Sequence, residues 1–269
     1  MNRYFLYKKR RICYNEEGRG KVIVFLHGFL ESQQIWTKFS KALSINYRVI
    51  TVDLPGFGES ECIAEVHSME LMADVVKALL TEIKIKECII VGHSMGGYVA
   101  LAFADKYMKM LSGLVLFHSG AFADSSEVKK NRSRMIEIVR NNHIGFIYEF
   151  ISELFATNNV DKFGNEIKQL QENAAALTKE AIIAAIEGMK QRNDKTNILQ
   201  SGLVPSLLIF GLEDKRVSLE IINKHKELSK NSETIILRNT GHMGYIEEGK
   251  KTIKLISRFA SKVYGLIEF

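Results

Sequence analysis

Short apolar runs recur along the chain with amphipathic stretches between them. Lys21–Leu26, Tyr47–Val52, Cys88–Val91, Gly113–Phe117, Ser206–Phe210 and Thr234–Leu237 are almost continuously apolar. Runs this short, bounded by turn residues, predict strands buried on both faces, as in a parallel sheet. Between them the spacing becomes helical. Ile35, Trp36, Phe39, Ala42 and Leu43 share one face, as do Leu71, Met72, Val75, Val76, Leu79 and Leu80 in a helix over 68–84. A C-terminal helix over 247–264 turns Ile253, Ile256, Phe259 and Val263 inward. Two further strands, over 3–8 and 11–15, open the chain. Lys8, Lys9, Arg10 and Arg11 stand at the turn between them.

Strands alternating with helices imply a mostly parallel, eight-stranded α/β sheet with right-handed crossovers. The alternation stops between 121 and 197, where only helical patterns occur: 125–142, 144–155, 166–177 and 179–192, the last with Thr178 as its N-cap. The expected organisation is therefore an α/β core over 1–120 and 198–269, with a helical cap over 121–197 inserted after strand 6.

Composition adjusts this picture only slightly. The 269 residues are 46% hydrophobic and 25% charged, with a net charge of +6. That is enough apolar material for a large core. So mild a basic excess does not point to nucleic acid, and the quartet at 8–11 reads as a solvated hairpin tip. Cys13, Cys62 and Cys88 are scattered, without zinc-type spacing, and suit free thiols in a reducing compartment. No apolar run reaches the ~18 residues of a membrane span, and the first residues lack a signal-like apolar core. The expectation is a cytoplasmic protein without cofactor or metal.

The chemistry centres on Gly92-His93-Ser94-Met95-Gly96, which joins an apolar strand to an alanine-rich helix. A serine with glycines at both second neighbours, on a strand–turn–helix, is a nucleophile elbow. Asp214 and His242 each follow a later strand. Because functional groups in an open parallel sheet gather at the carboxyl ends of its strands, the three can meet. His242 would take the proton of Ser94, and Asp214 would orient and stabilise the imidazole. Backbone N–H groups of Met95 and Phe29 would bind the oxyanion. Glu213 is the competing acid, and Asp124 reads as a cap residue for the helix starting near Ser125. His27 and His93 read as hydrogen-bonding supports and Asp53 as the tie of its own turn. His67, His118, His143 and His225 belong to no constellation.

His27-Gly28-Phe29, Asp53-Leu54-Pro55-Gly56-Phe57-Gly58-Glu59-Ser60, Gly92–Gly97, Gly211-Leu212-Glu213-Asp214 and Gly241-His242-Met243 together make the sequence resemble the α/β-hydrolase fold superfamily. The resemblance covers all but the cap and is specific for the fold and the triad. It implies a serine hydrolase that cleaves a carboxylic ester of a small or medium acyl substrate through an acyl-enzyme. It extends equally to carboxylesterases, lipase-like enzymes, carbon–carbon bond hydrolases, haloperoxidase-like enzymes and pimeloyl-carrier methyl ester esterases. A thioesterase, carbon–carbon hydrolase or lyase on the same triad is the alternative, and a non-catalytic binder of this fold a third. Serine at 94 separates the chain from dehalogenases and epoxide hydrolases, which carry aspartate there. Substrate choice falls to the cap, where Phe122, Phe146 and Phe150, with Leu30 and Met243, are the expected pocket residues. Lys129, Lys130, Arg132, Arg134 and Arg140 form a basic stretch that lies mostly opposite Val128, Met135 and Val139. It is a solvated face or a docking face for an acidic acyl-carrier partner.

Overall fold

The computed structural model describes residues 2–266. A hairpin of β1 (Arg3–Tyr7) and β2 (Arg10–Glu17) turns through Lys8 and Lys9, both at positive φ. The basic quartet therefore spans a tight hairpin tip. β2 pairs antiparallel with β4 (Arg48–Val52), and from there the sheet is parallel. β3 (Val22–Leu26), β5 (Cys88–His93), β6 (Leu111–Phe117), β7 (Ser206–Gly211) and β8 (Ser232–Leu237) complete the order β1-β2-β4-β3-β5-β6-β7-β8. Every residue of β3, β5 and β7 is buried, which is why these strands read as unbroken apolar runs.

Helices cover the sheet. Gln33–Trp36 forms a 3₁₀ turn that runs into α1 (Thr37–Leu43), and Trp36 packs between Phe25 and Phe39. α2 (Met69–Glu82) starts at Ser68, whose hydroxyl accepts the N–H of Leu71. α3 (Met95–Tyr107) follows β5 directly. At the C-terminal end, α8 (Leu219–Leu228) precedes β8, and a short α9 (Gly244–Glu247) leads into α10 (Gly249–Val263). α10 buries Ile256 and Phe259 as its spacing predicts, while Ile253 and Val263 are only partly buried against the core.

Between β6 and β7 lie α4 (Ser126–Ser152), α5 (Gly164–Ala175), α6 (Lys179–Gln191) and α7 (Thr196–Ser201). α4 runs through both of the first two expected helices. Asn142, at φ −149° and ψ 76°, breaks the helical path at their junction. α6 has the expected cap, the Thr178 hydroxyl accepting the N–H of Ala181. α7 is an element the periodicity does not predict, because six residues are too few to display a helical period. Among the described residues no helix is long and apolar enough to cross a membrane.

Tight backbone packing sets the β5–α3 turn. A Cβ on Gly92 would lie 2.3 Å from the carbonyl oxygen of Gly96, and a Cβ on Gly96 would lie 2.4 Å from that of Leu26. Since backbone atoms cannot swing aside, Gly96→Ala should destabilise the fold by about 3 kcal/mol or more, read as a shift in the urea midpoint.

Candidate active site

Ser94 occupies the turn at φ 49° and ψ −115°, a conformation L-residues rarely adopt. Its N–H donates to Phe117 O (2.9 Å), and its carbonyl accepts from the Ser119 hydroxyl (2.8 Å). The turn is thus held from β6, and the serine hydroxyl stands at the N-terminus of α3. Ser94 Oγ–H donates to Nε2 of His242 at 2.8 Å, and Nδ1–H of His242 donates to Oδ2 of Asp214 at 2.7 Å. The carboxylate on the Nδ1 side requires the proton there, which leaves Nε2 free to accept. The structure therefore brings Ser94, Asp214 and His242 into one chain of hydrogen bonds, although they lie at the ends of β5, β7 and β8. Glu213, the competing acid, is not part of it.

Asp214 is gripped on all sides. Its Oδ1 accepts the N–H groups of Arg216 (2.7 Å) and Val217 (3.1 Å). Nδ1 of His118 approaches Oδ2 at 3.1 Å and also lies 3.2 Å from the backbone N of Gly211. Only one of these contacts can be a hydrogen bond at a time, and the negative charge favours donation to the carboxylate. Burial alone would raise the Asp214 carboxyl, but the facing His242 and the donors from both histidines hold it below the usual carboxylate range. Burial lowers His118 to about 4, so it is a neutral donor. His118 thus belongs to the site after all. It follows β6 as Ser94 follows β5, so the convergence of strand ends that unites Ser94, Asp214 and His242 was the signal that applied to it as well.

A second buried relay holds the histidine loop. Nε2 of His93 donates to the carbonyl of His242 (2.9 Å), and Nδ1 of His93 donates to Glu31 Oε2 (2.9 Å). Both nitrogens face acceptors, so His93 is an imidazolium paired with a carboxylate. Burial opposes charge on each, yet the pairing outweighs it, holding His93 above and Glu31 below their usual values. Glu31 also accepts Gly28 N–H (2.6 Å) and Tyr245 O–H (2.9 Å). Glu247, equally buried, accepts the N–H groups of Gly241 (3.0 Å) and Met243 (3.2 Å), on either side of His242, and that of Ala156 (3.0 Å). His27, neutral by burial, accepts Leu54 N–H at 2.9 Å, and Asp53 accepts the N–H groups of Gln33 and Glu59.

The N–H groups of Phe29 and Met95, from the loop after β3 and the first turn of α3, have no acceptor among the described residues. A cavity of about 470 Å³ contains Ser94 and His242 and is walled by Phe29, Phe122, Met135, Phe150, Leu154 and Val217, among others. Of the five expected pocket residues, Phe122 and Phe150 face it. Phe146 is not in its wall and packs against Phe150 with tilted rings, at 5.4 Å between ring centres. Leu30 and Met243 stand outside its wall: Leu30 borders a separate depression beside α5, and Met243 is buried in the core.

Two expectations in the helical insert need correction. The cap of α4 is Ser125, whose hydroxyl accepts Val128 N–H (3.2 Å), whereas Asp124 binds Arg132 Nε (2.5 Å) and Arg192 Nη1 (2.6 Å). Arg132 is not on the basic outer face. It lies four residues after Val128 and three before Met135, hence on their stripe, and it lines the cavity. Lys129, Lys130, Arg134 and Arg140 do remain exposed.

His118, Asp214 and His242 place ligand atoms within 4.8 Å of one another, a spacing a metal ion could use. A cation there would have to displace the Asp214–His242 bond, so these atoms are already committed.

A family profile described as alpha/beta hydrolase fold matches residues 21–134. An esterase from Thermogutta terrifontis, solved with malate bound, superposes with a TM-score of 0.91 at 30% identity, covering 98% of this chain and 99% of that one. A pimeloyl-[acyl-carrier protein] methyl ester esterase from Aeromonas hydrophila is 28% identical across 90% of this chain and 96% of its own length. A 2-hydroxy-6-oxononadienedioate/2-hydroxy-6-oxononatrienedioate hydrolase from Paraburkholderia phymatum is 25% identical across 93% and 90%.

The Glu31–His93 pair should show in the pH dependence of stability. His93, raised in the fold, adds stability that is complete below its unfolded pKa of ~6.5 and is lost as pH rises through the folded value. Glu31, lowered in the fold, adds stability above ~4.3 that is lost as pH falls through its folded value. Glu31→Gln leaves His93 buried without its partner, so protonation then opposes folding. The stability gap between wild type and Glu31→Gln should widen as pH falls from ~8 to ~5, reaching about 3–5 kcal/mol in denaturant titrations. A gap independent of pH would show that His93 is neutral in the native protein.

Proposed function

The chain belongs to the α/β-hydrolase superfamily, a hydrolase family, and we propose that it is a serine hydrolase cleaving the carboxylic ester of a small or medium acyl substrate. The observation that carries this reading is the Ser94–His242–Asp214 hydrogen-bond chain opening into a cavity, with the N–H groups of Phe29 and Met95 unpaired among the described residues. Ser94 Oγ attacks the ester carbonyl while Nε2 of His242 accepts its proton. Asp214 holds the Nδ1–H tautomer and stabilises the imidazolium. The carbonyl oxygen, now an oxyanion, accepts from Phe29 N–H and Met95 N–H, each donor supplying about 3–4 kcal/mol in the transition state. His242 then protonates the departing alcohol, and water, activated by the same imidazole, releases the acid from Ser94. His118, Glu31 and Glu247 touch no reacting atom and act by positioning Asp214 and the His242 loop.

The esterase at 30% identity supports ester cleavage over the alternatives, and the cavity volume suits a small or medium acyl group. The helices of 121–197 act in this reading as a cap that walls the substrate. A second element concerns delivery. Lys129, Lys130 and Arg134 are exposed and form no ion pair among the described residues, while Arg140 pairs with Glu137 at 2.5 Å. This face of α4 is suited to an acidic acyl carrier.

A fluorophosphonate probe should label Ser94, and mass spectrometry of the labelled peptide reads this directly. Ser94→Ala and His242→Ala should each lower kcat by about 10⁴-fold or more without unfolding the protein, and Asp214→Asn by about 10⁴-fold. Near-full activity in Asp214→Asn would remove that residue from its assigned role, and a folded protein that resists the probe would overturn the serine mechanism. Hydrolysis of a carrier-linked ester should fall about tenfold from ~50 to ~500 mM salt. A rate unaffected by salt would dismiss the carrier face.

A further inference from the structure

The wall of the cavity that contains Ser94 is more cationic than hydrolysis of a neutral ester requires. Its side chains include Arg132, Arg192, Lys215 and Arg216, against the carboxylates of only Asp124 and Glu31. Glu31 is matched by His93. Arg216 is matched from outside the wall by Glu153 at 2.9 Å, and its guanidinium stacks on Phe150. Asp124 alone must serve both Arg132 and Arg192, with 4% of its side chain exposed against 13% and 10% of theirs. One carboxylate between two guanidinium groups leaves a positive charge in a largely dehydrated place. Lys215 adds another and has no ion pair among the described residues.

The two arginines are not equivalent. Arg192 is used up by the fold. Its Nη1 reaches Asp124 and Met189 O (3.1 Å), its Nη2 reaches Phe122 O (3.1 Å), and its plane lies 3.9 Å over the Tyr98 ring. Arg132 gives Nε to Asp124 and one Nη1 contact of 3.5 Å to the Met189 sulfur, a weak acceptor. Its Nη2 has no acceptor among the described residues. A half-buried guanidinium with an unused edge, fixed in place by Asp124, is a preformed partner for a carboxylate.

We propose that Arg132, steadied by Asp124, is an anion-binding subsite, and that the ester cleaved at Ser94 carries a second carboxylate. This rests on the ester-hydrolase reading of the same cavity. Phe29, Phe150 and Val217 give the same cavity apolar walls for a carbon chain joining the two groups, so the substrate class is the half-ester of a dicarboxylic acid. The hydrolysis is unchanged: water adds, the alcohol leaves, and the distal carboxylate takes no part in bond making.

The test uses monomethyl esters of C4 to C8 dicarboxylic acids beside methyl esters of monocarboxylic acids of equal length. At the best length, kcat/KM should favour the half-ester by tenfold or more. Arg132→Gln should reduce that preference at least tenfold, mainly through KM, and Arg132→Lys should restore part of it. A wild-type protein indifferent to the distal carboxylate at every length, or an Arg132→Gln variant losing equally on both series, would overturn the subsite. Calorimetry of the free C4 to C8 dicarboxylates with Ser94→Ala protein tests the subsite without turnover. Binding there that Arg132→Gln weakens tenfold would uphold the subsite even if no ester were cleaved, whereas no binding at millimolar concentration would overturn it even if neutral esters were cleaved.

Discussion

Where β5 turns into α3, backbone lies against backbone at distances that leave no room for a methyl group. Gly96 sits on the carbonyls of Leu26 and His27, and Gly92 sits under the first turn of the helix. That contact places the loop after β3 beside the start of α3. It also forces Ser94 into its positive φ, with the hydroxyl lifted off the end of the strand. The strained turn that carries Ser94 follows from this one approach. The parallel sheet then brings β7 and β8, with Asp214 and His242, to the same edge.

Buried carboxylates do the remaining alignment. Asp214, Glu31 and Glu247 are each nearly inaccessible, and each binds several donors. An unpaired charge in these places would be strongly destabilising, so each carboxylate is kept only because every partner is in position. Glu31 works through His93 on the carbonyl of His242. Glu247 works on the N–H groups flanking that residue and on Ala156 in the insert. The histidine loop is therefore tied on one side to the core and on the other to the helices between β6 and β7, where His242 N–H also donates to Leu154 O at 2.7 Å. Cavity wall and His242 are mechanically one unit.

The insert contributes chemistry as well as walls. The kink at Asn142 lets α4 present Met135 on one side of the break and Phe150 on the other to the same cavity. The stripe 128, 132, 135, 139 would be apolar throughout in an ordinary packed helix. Placing arginine in it costs burial energy unless a carboxylate answers, and Asp124 answers by serving two guanidinium groups at once. The residual positive charge faces the cavity that contains Ser94.

What the sequence by itself determined is whatever depends on near neighbours. Period-two and period-3.6 patterns, capping residues such as Thr178, and glycines at the elbow are local, so strands, helices and the order serine, aspartate, histidine could be read directly. The expectation that Asp53 ties down its own turn was readable for the same reason, since it accepts the N–H of Glu59 within that turn, whereas the partner of His27, Leu54, comes from a different strand end. The tertiary structure alone decided the partners of His118, Glu31 and Glu247, the absence of Leu30 and Met243 from the cavity wall, and the inward turn of Arg132. Each depends on two segments far apart in the chain meeting in space. A charge's role is set by what faces it across that gap, and no periodicity along a single segment records what lies opposite.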